Sequence, residues 1–186
     1  MAENNTHINF KSIQRNNLYI KEIDSYSTRL NTGETKRSFE KNEVKKAIEQ
    51  LGFNAELGYK ASGQPYLVNH PDLFISISHS KGWIAVYISE TPVGIDIESD
   101  NPRILMGTDY FVNDNESQFL GDLKSLHLIW GAKEAFYKWK EGQISDLKNE
   151  VTILKIEQNK QIHICYRNTI HLFECIQEEG VTVVLN

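Results

Sequence analysis

Apolar residues recur along this chain in two rhythms, alternating short runs and longer stretches at helical spacing, and their order sketches the fold. Leu18-Tyr19-Ile20 reads as a short early strand. From Glu34 to Leu51 the residues Phe39, Val44, Ile48 and Leu51 keep a rough helical spacing, with Gly52 as a stop. The turn-rich loop Ser62-Gly63-Gln64-Pro65 follows. Three strands then come in quick succession. Leu73 to Ser78 ends at His79, Ser80-Lys81-Gly82 turns the chain, and Trp83 to Ile88 runs back. Thr91-Pro92 turns it again and Val93 to Glu98 returns, which predicts an antiparallel meander.

After Asp100-Asn101-Pro102 the rhythm becomes helical. Asn113 opens one helix, with Glu116 three residues on as in a capping box. Leu123 to Lys140 makes another. Four strand-like runs close the chain: Val151–Ile156, Ile162–Tyr166, Ile170–Ile176 and Val181–Leu185. Helices and antiparallel strands thus mix on both sides of Asp100–Pro102. This predicts an α+β fold in two halves, residues 1–99 and 100–186.

Composition narrows the picture. Twenty Lys and Arg against twenty-five Asp and Glu give a net charge of −5, the wrong sign for a general nucleic-acid binder. The polar start, Met1 to His7, lacks the apolar core of a signal peptide, and no run approaches the roughly 18 apolar residues of a membrane span. A hairpin centred at about residue 168 places Cys175 opposite Gln161 rather than Cys165, so two reduced thiols and a cytoplasmic location are expected.

The chemistry concentrates in two segments. In Gly94-Ile95-Asp96-Ile97-Glu98, strand alternation turns Val93, Ile95 and Ile97 inward and projects Asp96 and Glu98 together to the other side. Two such acids either hold a divalent cation, for which Mg²⁺ is suited, or form an ordinary solvent-facing edge. In the helix from Leu123, the residues His127, Trp130, Glu134 and Lys138 share one face. Leu128, Ala132, Ala135, Phe136 and Trp139 share the other, a sufficient core stripe. Glu134 and Lys138 are then either site residues or a surface pair worth about 0.2–0.5 kcal/mol. His79, flanked by Ser78 and Ser80, is either a phosphate contact or a satisfied strand-end histidine. Glu116 is either a third acid near the site or the capping acid that its spacing suggests.

Taken in order, Ser62-Gly63-Gln64-Pro65, Ile77-Ser78-His79-Ser80, Gly94 to Glu98, Phe111 to Glu116, and Trp130-Gly131-Ala132-Lys133-Glu134-Ala135-Phe136-Tyr137-Lys138 resemble the 4′-phosphopantetheinyl transferases of the surfactin-synthetase type. The resemblance covers roughly residues 58 to 144. It implies two similar α+β halves related by a pseudo-twofold axis, with coenzyme A between them in a chain that works as a monomer. It implies Mg²⁺, with Mn²⁺ as the alternative, ligated by Asp96, Glu98 and Glu134. It implies His79 on the nucleotide 3′-phosphate with Ser78 beside it, Gln64 and Lys138 toward the phosphates, and Glu116, Glu134 and Lys138 as catalytic groups. The implied partner is an apo acyl or peptidyl carrier protein. A catalytically weak paralogue that binds coenzyme A or a carrier is the competing reading, and a metal-dependent phosphodiesterase is the third.

Some features depart from that pattern. Gln64 stands where the family commonly has Lys, and Glu141-Gly142-Gln143-Ile144 keeps a single Gly where two are common. Residues 1–57 align with nothing in the family. Arg29, Lys36, Arg37 and Lys60 are candidate nucleotide contacts. Because carrier proteins are usually acidic, the negative net charge predicts a local basic or apolar docking patch.

Overall fold

The computed structural model describes residues 12–15, 17–23, 35–158, 160–178 and 180–186. The expected helix start at Glu34 and the candidate Arg29 lie outside them. The described residues form an α+β fold with antiparallel sheets. Strands β1 (Ser12–Arg15), β2 (Leu18–Glu22), β5 (Phe74–Ser80) and β6 (Trp83–Ser89) make a four-stranded sheet ordered β1-β2-β6-β5. The helix α1 (Lys36–Gln50) covers one face of it. Thr35 caps α1 by accepting from the Ser38 amide, and Val44, Ala47 and Ile48 pack on Ile75, Ile84, Val86 and Ile88. A small hairpin of β3 (Leu57–Tyr59) and β4 (Pro65–Leu67) sits beside β5. The turn Ser62–Pro65 expected from sequence is the tip of that hairpin.

The predicted meander is not what forms. β7 (Ile95–Ser99) does not hydrogen-bond to β6 as a third strand of the first sheet. It pairs with β11 (Val181–Leu185) at the edge of a five-stranded sheet ordered β7-β11-β10-β9-β8. The other strands there are β8 (Val151–Ile156), β9 (Gln161–Tyr166) and β10 (Thr169–Glu178). Pairing across long sequence separation wins because β7 then lays Ile95 and Ile97 against Leu18, Ile20 and Ala85 of the first sheet and Val181, Val183 and Leu185 of the second. Each such fully buried side chain contributes about 1.5–3 kcal/mol.

The second sheet carries α3 (Leu123–Trp139) on its other face. Asp122 caps α3 through the Ser125 amide, and Phe136 is fully buried among the rings of Trp139, Tyr166, His171 and Phe173. Short helices α2 (Thr108–Phe111) and α4 (Leu147–Glu150) and two 3₁₀ turns, Pro102–Gly107 and Asp114–Phe119, complete the connections. The layers therefore run α1, first sheet, second sheet, α3. Arg167 and Asn168, both at positive φ, make the two-residue turn between β9 and β10. The hairpin centre falls slightly earlier than expected: Glu174, not Cys175, faces Gln161, and Cys165 faces Ile170. Both thiols are free.

One glycine sets the spacing between β7 and α3. A Cβ on Gly94 would stand 2.0 Å from the Ala135 carbonyl oxygen and 2.8 Å from the Trp139 amide nitrogen. Both are backbone atoms that cannot turn aside. Gly94→Ala is therefore expected to lose about 1–3 kcal/mol of stability as β7 is pushed off the helix, measured by denaturant unfolding. An unchanged midpoint would show that the approach is looser than described.

Candidate active site

Gly94 lets β7 lie directly against α3, so the two acids on the outward side of β7 meet the polar side of the helix rather than water. Asp96 is 4% exposed. Its Oδ1 accepts from Ser78 Oγ at 2.8 Å and from Lys138 Nζ at 2.7 Å, while its Oδ2 is buried without a hydrogen-bond partner. Gly131 on α3 leaves room next to that oxygen, since a Cβ there would come to 3.6 Å from it. Glu98 Oε1 accepts from the Trp130 indole Nε1 at 3.1 Å and Oε2 accepts from Ser80 Oγ at 3.2 Å.

Burial, and then the negative charge of Asp96, push the Glu98 carboxyl up to about 7. The same two causes raise Glu134, with Lys138 opposing them. Asp96, Glu98, Glu134 and Lys138 thus form one electrostatic group at the seam of β7 and α3. Neither surface reading of the acids survives: Asp96 and Glu98 are not a solvated edge, and Lys138 pairs with Asp96. All three Nζ donors of Lys138 have partners, namely Asp96 Oδ1, Ser78 Oγ at 3.0 Å and the Ile95 carbonyl at 3.1 Å.

A serine ladder joins the two sheets here. Ser76, Ser78 and Ser80 alternate along β5 and face β7. The Ile95 amide donates to Ser76 Oγ at 3.0 Å, and the Ser99 amide donates to Ser80 Oγ at 3.1 Å. Sequence reasoning gave Ser76 and Ser80 no role beyond strand and turn, although their period-2 spacing opposite Asp96 and Glu98 was there to be read.

The same alternation separates Ser78 from its neighbour His79, which were expected side by side. His79 points to the α1 side, half exposed, with Nδ1 3.7 Å from Glu40 Oε1. There it lines a cavity of about 320 Å³ with Arg37, Lys41 and Tyr59. A second cavity of about 290 Å³ lies beside it, lined by Ser62, Gln64, Lys138 and Glu141, and shares Gly63, Pro65 and Ile77 with the first. Lys60, Gln64 and Lys138 also line a third of about 250 Å³, where Lys60 stands 3.6 Å from Glu141. Lys36 pairs with Glu40 at 3.5 Å.

Glu116 lies elsewhere. It is 0% exposed, and its oxygens accept from the Asn113 and Ile153 amides at 2.9 and 2.7 Å. The capping box read from sequence is present. Lys133, also 0% exposed, pairs with Glu116 at 2.9 Å and donates to the Lys148 carbonyl at 3.1 Å. Local sequence spacing does not reveal this buried ion pair, because its partners stand on separate elements seventeen positions apart.

Could these acids hold a cation? Among the described residues, no three His, Cys, Asp or Glu side chains stand gathered closely enough to hold a metal ion. The donor chemistry nevertheless suits a hard divalent cation: a buried Asp96 oxygen without a partner, with the Glu98 and Glu134 carboxyls close enough for its negative charge to raise both their pKa values.

Known proteins are similar to part of this chain. A 4′-phosphopantetheinyl transferase of Bacillus subtilis is 32% identical over 90 residues, 44% of this chain and 39% of the relative. The 4′-phosphopantetheinyl transferase Sfp of Bacillus subtilis (strain 168) is 30% identical over 108 residues, 55% of this chain and 48% of the relative. Over about half its length the chain is similar to the 4′-phosphopantetheinyl transferases. The 4′-phosphopantetheinyl transferase psf-1 of Bacillus pumilus adds 33% identity over 98 residues, 49% of this chain and 40% of the relative. No protein-family model matches the chain. The chain spans about half the length, or less, of these curated relatives.

The polar face of α3 includes one group with a different task. His127 is 1% exposed, and its Nε2 accepts from the Asn101 amide at 2.9 Å, tying the start of the 3₁₀ turn to the helix. Burial lowers its pKa below the usual 6.5. The unfolded chain therefore takes up a proton that the folded chain refuses, and stability from this group is lost as pH falls below about 6.5. His127→Gln is expected to flatten the acid side of the stability profile relative to wild type, read by thermal melts between pH 5 and 8. Comparison within one pair of proteins cancels the opposite trend from Glu98 and Glu134, whose raised values favour the folded state toward acid pH. Parallel profiles would contradict the assignment.

Proposed function

We propose that the chain transfers the 4′-phosphopantetheine arm of coenzyme A to a serine of an apo acyl or peptidyl carrier protein, in a Mg²⁺-dependent reaction that releases 3′,5′-ADP. The observation that carries this reading is the convergence of Asp96, Glu98, Glu134 and Lys138 where β7 meets α3, beside two adjoining cavities, in a relative of the 4′-phosphopantetheinyl transferases. A holo-acyl-carrier-protein synthase activity, a cytoplasmic location, a monomeric state and two similar halves enclosing the coenzyme belong to the same proposal.

The residues divide the work as follows. Arg37, Lys41 and His79, with Glu40 among them, line the cavity under α1, where the two basic side chains and the imidazole would contact a nucleotide phosphate. Ser62, Gln64 and Lys138 line the adjoining cavity and receive the diphosphate. Lys138 leaves one of its three protein acceptors to meet a phosphate oxygen; Gln64 offers an uncharged donor. Asp96, Glu98 and Glu134 would hold Mg²⁺, which when bound supplies charge neutralisation on the diphosphate being cleaved. The attacking hydroxyl forms its bond to the β-phosphorus as the bond to 3′,5′-ADP breaks. Glu134, whose pKa is raised by burial and by Asp96, is the base assigned to accept the hydroxyl proton. Glu116 has a structural part in this scheme, because both its oxygens are engaged in the protein interior.

An apolar carrier-docking patch is supported by Leu105, Met106 and Tyr110 on consecutive short helices, 55%, 83% and 82% exposed. The test is incubation with coenzyme A, Mg²⁺ and a panel of apo carrier proteins, read as the mass gain of one phosphopantetheine group. Tight coenzyme A binding with no transfer to any carrier would favour the binding paralogue, and nucleotide release without a carrier would favour a hydrolase.

A further inference from the structure

Each oxygen of Glu98 is held by a neutral donor, and the two donors come from different sheet and helix layers. Ser80 Oγ reaches Oε2 from β5 at 3.2 Å, and Trp130 Nε1 reaches Oε1 from α3 at 3.1 Å. We propose that Ser80 and Trp130 are positioning residues, which together fix the Glu98 carboxylate in the orientation a divalent cation requires. This rests on the cation reading of Asp96, Glu98 and Glu134.

The donors are themselves fixed. Ser80 Oγ accepts the Ser99 amide at 3.1 Å, which leaves its hydroxyl hydrogen free to be aimed at Glu98. Its backbone is tied by Ser99 Oγ, which donates to the Ser80 carbonyl at 3.2 Å. The Trp130 ring is held edge-on against Phe111, with centroids 5.2 Å apart. Neutral donors suit this task. A lysine or arginine at either place would offset the carboxylate charge and compete with a cation, whereas a hydroxyl and an indole orient the group and leave its charge in place. The contrast with Asp96 is informative: there a lysine takes one oxygen and the other is left buried and open. Orientation is thus built into Glu98 and openness into Asp96.

The experiment measures Mn²⁺ binding to the full chain in the presence of coenzyme A, from the paramagnetic resonance signal of the free ion. Ser80→Ala and Trp130→Phe are each expected to weaken Mn²⁺ by about tenfold or more, the usual effect of removing a partner of a ligand. Ser80→Thr, which keeps the hydroxyl, is expected to restore binding. In the metal-free chain the Trp130 indole N–H resonance is expected to move in Glu98→Gln. Unchanged Mn²⁺ affinity in both Ser80→Ala and Trp130→Phe, or failure of Ser80→Thr to restore it, overturns the positioning role alone. A wild-type chain that binds coenzyme A but no Mn²⁺ overturns the cation reading with it.

Discussion

Lys133→Met is expected to cost about 3–5 kcal/mol of folding stability, the usual loss when one partner of a buried ion pair is removed. Lys133 and Glu116 are both 0% exposed, and their 2.9 Å contact closes a knot that joins α3, the 3₁₀ turn 114–119 and β8. Without the lysine, the Glu116 carboxylate keeps its two backbone donors but faces the interior with an uncompensated charge. Burial already lowers the Lys133 pKa, and Glu116 is the chief influence opposing that shift. The double variant Glu116→Gln/Lys133→Met removes both charges and is expected to recover much of the loss. Chemical denaturation at neutral pH checks both. The same variants separate structure from catalysis: Glu116→Gln, where folded, is expected to retain transfer, and loss of activity in fully folded protein would return Glu116 to the catalytic set.

Asp96→Ala is expected to lower transfer by at least about a thousandfold, corresponding to roughly 4 kcal/mol of transition-state stabilisation. Asp96 is the residue that the others are arranged around. It anchors Lys138, accepts from Ser78, raises Glu98 and Glu134, and carries the open buried oxygen. Alanine removes all of these at once and leaves Lys138 with Ser78 and a backbone carbonyl. The chain is expected to stay folded, because Asp96 adds no apolar burial to β7, whose packing rests on Ile95 and Ile97. Activity by carrier mass shift, beside circular dichroism of the same sample, is the check. Full activity in a folded Asp96→Ala protein would sink the site assignment.

What could be read in the sequence was local. The alternation of Trp83 to Ile88 and the closing strands, the capping box at Asn113 and Glu116, and the core stripe of α3 all depend on near neighbours, and the structure has them. Pairing between distant strands is not written in local alternation. Val93 to Glu98 has the same pattern whether it continues a meander or joins β11, and only the shared apolar faces decide. The burial of Lys133 depended on Glu116 seventeen positions earlier, and the indole of Trp130 on Glu98 across the sheet. The opposite orientations of Ser78 and His79 were legible from strand period alone, but the adjacency of the two in the motif obscured them. Gly94 shows the limit best: its motif pointed to chemistry, whereas the glycine itself serves the contact between β7 and α3.

The most direct measurement follows an apo carrier protein by intact mass while the chain, coenzyme A and Mg²⁺ are present, with released nucleotide quantified in the same reaction. The expected result is a gain of one phosphopantetheine per carrier, one 3′,5′-ADP released for each, and neither product when Mg²⁺ is chelated. A chain that binds coenzyme A yet leaves every carrier tested at its apo mass would contradict the central claim.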